Sequence, residues 1–123
     1  MESRPATQFL VGVVGPCGAG KSSLVAGLQG RGYRCSHIAQ EHSYVPTMWS
    51  KIANPDVLIF LEASFATCTS RRNLNWLESD YEEQRRRLSH ARAHADLVID
   101  TDAIPVEVVR SQVLDYLEQW PPR

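Results

Sequence analysis

The chain has 123 residues, 43% of them apolar, and a formal net charge of −1 from 13 basic and 14 acidic side chains. That length predicts one domain over residues 1–123 with a modest core. The near-neutral balance lacks the basic field that draws nucleic acid or an anionic membrane surface, and no run approaches the roughly 20 apolar residues of a membrane span. Met1-Glu2-Ser3-Arg4 leads into a strand-length apolar run, which predicts no secretory leader. The three cysteines, Cys17, Cys35 and Cys68, form no C-x-x-C pair and no zinc-binding spacing, which predicts reduced thiols and a cytoplasmic protein.

The first element is Phe9–Val14, an apolar and β-branched run that reads as a buried strand. It meets Gly15-Pro16-Cys17-Gly18-Ala19-Gly20-Lys21-Ser22, which matches the phosphate-binding pattern Gly, four residues, Gly-Lys-Ser/Thr at every fixed position. Glycine permits positive φ and close approach of the backbone. The amides of Gly18, Ala19, Gly20, Lys21 and Ser22 are then expected to form an anion nest at the positive end of the helix that follows. Lys21 is expected to reach the β- and γ-phosphates, and the Ser22 hydroxyl to ligate Mg²⁺. Gly15, Cys17 and Ser23 complete the expected nucleotide contacts. Of 11 arginines and two lysines, one lysine falls where the pattern demands it. Cys17 itself occupies a free position and reads as a small filler rather than a redox-sensitive thiol.

Lys21 to about Gln29 is read as the first helix, with Leu24, Val25 and Leu28 on one side and Gly30-Arg31-Gly32 ending it. Arg34–Ala39 is a short, weakly apolar strand. From Gln40 to about Asp56 no periodicity is clear, and connections of that length in compact domains are often functional. This segment holds Glu41, His42, Tyr44, Trp49 and Lys51, so it is the expected seat of a second ligand, with capping of the core by Tyr44, Met48 and Trp49 as the equal alternative. Val57–Leu61 is the next strong strand, and about Ser64 to Arg72 the next helix.

Ser79-Asp80-Tyr81-Glu82 reads as a capping box opening a helix over about Asp80 to Ala95. Glu82/Arg86 and Glu83/Arg87 are i,i+4 pairs that support a solvated helix. Arg85 and Arg92 have no acid four residues before them and share a flank, which suits bidentate reach to polyphosphate. His90 and His94 are also four apart, but without a nearby third ligand they do not read as a metal pair. Leu97–Ile99 is the last strand, and Pro105 opens a final helix from Val106 to about Glu118. Continuous apolar strands alternating with helices predict an α/β fold with a parallel sheet covered on both faces, and ligands on such sheets sit at the carboxyl ends of the strands. That places Gly15–Ser22, the segment after Ala39, the segment after Leu61 and Asp100–Ala103 around one crevice.

On these residues the chain resembles the small P-loop kinases, the group of the shikimate, adenylate, thymidylate and gluconate kinases. The likeness rests on the Gly15–Ser22 loop with its strand and helix, on Pro55–Ser64 as the strand leading to a lid, on Arg71-Arg72, and on Arg87 followed by Ala95–Asp102 and a terminal helix. It covers about two thirds of the chain. The resemblance implies a P-loop NTPase-type three-layer sandwich with a short, mostly parallel sheet of about four strands and helices on both faces. It implies ATP and Mg²⁺ as cofactors, Arg71 as an adenine contact, Arg87 as a lid or substrate arginine, and a brief lid over Asn73–Ser79. It implies γ-phosphoryl transfer to a small molecule or nucleotide, the acceptor being unidentified. The middle region is abbreviated: the usual substrate helices and acidic segment have no counterpart. Glu41, after a strand and into the crevice, is the expected acid for a Mg²⁺-water or general-base role, with Glu62 as the alternative. A non-catalytic nucleotide-binding module and a slow nucleoside triphosphatase are the rival readings. Trp49 and Trp76, if exposed, would point to an interface, with a second copy of the chain as the partner.

Overall fold

The structure is a computed structural model and describes residues 8–121; the expectation about Met1–Arg4 lies outside the described residues. The fold is α/β with one four-stranded, all-parallel sheet. In chain order it comprises β1 (Leu10–Val14), α1 (Lys21–Gly30), β2 (Arg34–His37), β3 (Val57–Glu62), α2 (Phe65–Arg72), α3 (Glu78–His94), β4 (Leu97–Asp100) and α4 (Val106–Glu118). No helix among the described residues is long and apolar enough to cross a membrane.

The strand order is β2-β1-β3-β4. The chain therefore leaves β1 to one side to make β2, then returns past β1 to make β3 on the other. Neighbouring strands are in register with Val13 opposite His37, Val14 opposite Phe60 and Glu62 opposite Asp100. Where a parallel sheet reverses its winding direction, the loops at the carboxyl ends of the strands part and leave a crevice. The loop after β1 opens at that point.

Residue alternation sorts the core into two layers. Val11, Val13, Val57, Ile59 and Leu61 pack with Leu24 and Leu28 of α1 and Val109, Val113 and Leu117 of α4. Val14, Leu58 and Phe60 pack with Leu88 and Ala91 of α3, and Met48, Trp49 and Ala53 lie against them. Helices thus cover both faces, as continuous apolar strands require. Each fully buried Leu, Val or Phe contributes on the order of 1.5–3 kcal/mol relative to exposure.

The segment between β2 and β3 is not a bare loop. It holds a 3-10 turn at Gln40–His42 and a π-helical turn at Trp49–Ala53. The fully buried Gln40 organises it. Its Nε2 donates to the carbonyls of Val45 (2.9 Å) and Arg87 (3.2 Å), and its Oε1 accepts from the Trp49 amide (2.8 Å). Trp49 Nε1 donates to His90 Nδ1 at 3.1 Å, and His90 stacks on His94 at 4.2 Å. The histidine pair therefore serves packing against Trp49. Trp76 is half-buried against Phe65 and Tyr81, with its Nε1 donating to Thr69 Oγ1. Neither tryptophan is exposed, so the expected hint of an interface is absent.

α3 starts earlier than the Ser79 capping box predicts. Leu77 is the N-cap, and Asp80 supplies the carboxylate that accepts from the Leu77 amide at 2.8 Å. An acid at the third helical position reaches back to the cap amide even where the cap has no side-chain oxygen. Of the two expected i,i+4 charge pairs, Glu83/Arg87 forms and Glu82/Arg86 does not. Arg86 turns to Glu83, not Glu82, and Arg87 lies 3.4 Å from Glu83. Arg85 and Arg92 are not unpaired: both clasp Glu62 at the end of β3, at 2.7 and 2.8 Å. Helical spacing reads only intrahelical partners, and this carboxylate comes from the sheet.

Candidate functional site

The loop from Gly15 to Gly20 follows β1 and ends at the first turn of α1, where Gly20 is the N-cap with φ 101°. Gly18, at φ 88°, has no room for a side chain: a Cβ there would lie 2.7 Å from the carbonyl oxygen of Cys68 in α2. The glycines thus do two jobs, a left-handed turn into the helix and a close approach to α2.

Lys21 leaves the first turn of α1 and folds back under the loop. Its Nζ donates to the carbonyls of Gly15 and Pro16 and to Glu41 Oε2 at 2.7 Å. The pair is buried, with side-chain exposures of 5% and 4%. Glu41 reaches it because the 3-10 turn after β2 carries the residue into the crevice. Its other oxygen, Oε1, is buried with no hydrogen-bond partner among the described residues. Glu62, the alternative acid, is held by Arg85 and Arg92 in a separate cleft of about 240 Å³ that also includes Pro16, Phe60 and Leu88. The structure brings Glu41, not Glu62, to Lys21.

A cleft of about 350 Å³ opens over this loop, lined by Gly18, Lys21, Ser22, Glu41, Arg71 and Arg72 among others. Its charge is mostly positive: Lys21, Arg71, Arg72 and the amino end of α1 face one carboxylate. His37, at the end of β2, lines the same cleft. Desolvation, with Lys21 as the next cause, holds its imidazole below the ordinary histidine range. Cys17 sits on the loop with its amide donating to Gln84 Oε1 at 3.0 Å, while Gln84 Nε2 donates to Cys17 Sγ at 3.3 Å. Glu41 and His42 approach the same sulfur.

Arg71 comes from the last turn of α2. Its guanidinium donates to the carbonyls of Gly18 (3.3 Å) and Ala19 (3.4 Å), to Thr101 Oγ1 (3.0 Å) and to the Thr101 carbonyl. It therefore ties the loop to the segment after β4. A second cleft of about 310 Å³ lies there, lined by Ser23, Arg71, Thr101, Ile104 and Val109 among others. Arg87 lies elsewhere. Its Nη1 donates to the Glu41 carbonyl at 3.3 Å, and its guanidinium stacks 4.3 Å from the Tyr44 ring. It braces the turn that carries Glu41 and does not line the cleft.

Of the residues expected at the site, Cys17, Gly18, Gly20, Lys21, Ser22, Ser23, Glu41 and Arg71 line one cleft; Gly15 and Ala19 shape its floor through backbone contacts. The sequence reading missed Gln84; it named His42 in the expected second-ligand segment, and placed Gln40 and Thr101 only within segments expected near the crevice, without a role. For Gln84 a signal existed. It occupies the buried stripe of α3 with Tyr81, Leu88 and Ala91, where a lone polar residue needs a partner. Thr101 carries no local signal, since its partners Ala19, Glu62 and Arg71 lie far along the chain.

No protein-family model matches the chain, and no curated protein matches it. The functional reading rests on the cleft itself.

Proposed function

We propose that the chain is an ATP-binding P-loop protein whose activity is phosphoryl transfer from Mg·ATP to a small molecule, in the cytoplasm. The observation that carries the reading is the Lys21–Glu41 pair held under a glycine loop at the amino end of α1. An anion gains there from backbone amides, from the helix dipole and from Lys21, with Arg71 and Arg72 at the rim. The second cleft beside Arg71 and Thr101 supports a seat for the base. Ser22 and Glu41 in one cleft, with Glu41 Oε1 buried and unpartnered, fit a Mg²⁺ held through hydroxyl, water and carboxylate. The metal would neutralise phosphate charge. Lys21 would leave Glu41 for the phosphates, and Glu41 would orient a water or an acceptor hydroxyl. Catalysis by such a site is positioning and charge neutralisation.

A nucleotide-binding module without transfer is the second reading. It is favoured by the use of Gln40, Tyr44 and Trp49 as tethers to α3, which takes up the side chains expected to read an acceptor. Calorimetric titration with Mg·ATP tests the shared claim. The natural chain is expected to bind, and Lys21→Met combined with Glu41→Gln, which leaves no lone charge buried, is expected to lose binding while keeping its thermal transition. Equal affinity in the double variant would sink the nucleotide reading. Transfer from ATP to pooled metabolites, against ADP release in water alone, separates kinase, hydrolase and module.

A further inference from the structure

Cys17, Glu41 and His42 form a cluster of which the proposed nucleotide chemistry uses Glu41 alone. Their ligand atoms all lie within 4.8 Å of one another. Cys17 Sγ is 3.5 Å from His42 Nε2 and 4.0 Å from Glu41 Oε2, and His42 Nε2 is 3.8 Å from the same oxygen. These separations are long for direct hydrogen bonds. They are close to the edges of a metal tetrahedron: bonds of about 2.0–2.1 Å to nitrogen and oxygen and about 2.3 Å to sulfur give edges of about 3.3–3.6 Å. The contraction needed is about 0.5 Å. It falls on the two edges that meet Glu41 Oε2, so the carboxylate closes toward Cys17 while His42, whose side chain is 59% exposed, closes toward the carboxylate.

We propose that Cys17, Glu41 and His42 bind a zinc ion at the mouth of the glycine loop. A thiolate, an imidazole and a carboxylate form a donor set for a borderline-soft cation, not for magnesium. Cys17 gives its thiol proton to solvent, and the thiolate adds a second negative charge to a site whose carboxylate already lies 2.7 Å from Lys21 Nζ. Glu41 is 3% exposed and has one oxygen, Oε1, without a hydrogen-bond partner among the described residues. Gln84 supplies the outer contact: its amide donates to Sγ at 3.3 Å and fixes where the sulfur points. Three protein ligands leave a fourth position open, the pattern of zinc sites that accept water or an exogenous ligand. The zinc site lies in the same cleft as the proposed nucleotide site and shares Glu41 with it, but needs no nucleotide to form.

The test uses the full chain, reduced and metal-free, with no nucleotide present. Zn²⁺ competed against a chromophoric chelator is expected to bind at one equivalent and to resist excess Mg²⁺. Co²⁺ in its place is expected to give a thiolate-to-cobalt charge-transfer band in the near ultraviolet. Cys17→Ser abolishes that band. Cys17→Ser and His42→Ala each weaken zinc by more than about tenfold, the lower bound even for loss of an outer-shell partner. Cys35→Ser and His90→Ala change neither readout. Circular dichroism and thermal unfolding check that each variant folds, and the exposed His42→Ala carries the test if Cys17→Ser does not. Equal zinc affinity in the natural chain and His42→Ala, or loss on His90→Ala instead, overturns the site. Because nucleotide is absent, failure to bind ATP and failure to bind zinc are separate results.

Discussion

At the residue scale the protein turns on one buried ion pair. Lys21 and Glu41 are unequal partners. Lys21 also donates to two carbonyls, whereas Glu41 Oε1 has no hydrogen-bond partner among the described residues. Removing the cation strands a buried carboxylate, which typically costs about 3–5 kcal/mol. Removing the negative charge leaves Lys21 with its carbonyls and an amide oxygen. Lys21→Met is therefore expected to lower stability in urea unfolding by about 3–5 kcal/mol and Glu41→Gln by only about 1–3 kcal/mol, the usual range for a disturbed buried polar contact. The double variant should lose less than the sum, and the shortfall measures the coupling. Strict additivity would mean that the two side chains do not act on each other. Lys21 was legible in the sequence because its job is encoded within eight consecutive residues. Glu41 was legible only as the best acid after a short strand, since nothing local shows which strand ends beside β1.

Elements join the site through their ends. α2 contributes Arg71, whose fork spans Gly18, Ala19 and Thr101, so one side chain locks the loop after β1 to the loop after β4. Arg71 sits at the surface and its contacts are shared with solvent, so Arg71→Ala is expected to cost only about 1 kcal/mol in denaturant unfolding. Arg71→Lys should not restore the loss, because a point charge cannot serve carbonyls in several directions. Full rescue by lysine would reduce the clamp to simple charge. Element positions themselves were well marked in the sequence. α4 has its expected bounds, with Pro105 as N-cap, and Ser64 caps α2 through the Thr67 amide. The start of α3 and the partners of its arginines were not. The Ser79 pattern competed with Asp80 reaching back to Leu77, and Glu62 arrives from β3.

The whole molecule is one sheet with two different faces. Leu28 of α1 and Leu88 of α3 are both essentially unexposed and belong to separate core clusters, on opposite sides of β1 and β3. β3 buries alternate residues into each cluster, so neither layer can separate without exposing the strand. Leu28→Ala and Leu88→Ala are each expected to cost about 2–5 kcal/mol, with a single cooperative transition retained and followed alike by fluorescence and circular dichroism. Two transitions in either variant would show layers that unfold independently.

The sequence by itself determined the α/β alternation, the buried strands β1 and β3, and a glycine loop running into a helix with Lys21 in its first turn. These follow from periodicity, turn chemistry and spacing, all of which act over a few residues. Only the tertiary structure decided that β2 and β3 flank β1, that Glu41 rather than Glu62 meets Lys21, and that Gln40 and Trp49 face α3. It also decided that Cys17, Glu41 and His42 share one small volume. Those contacts join residues 20 to 50 positions apart, and their partners are chosen by how strands order and how loops part at the sheet's switch point. No local pattern encodes that choice.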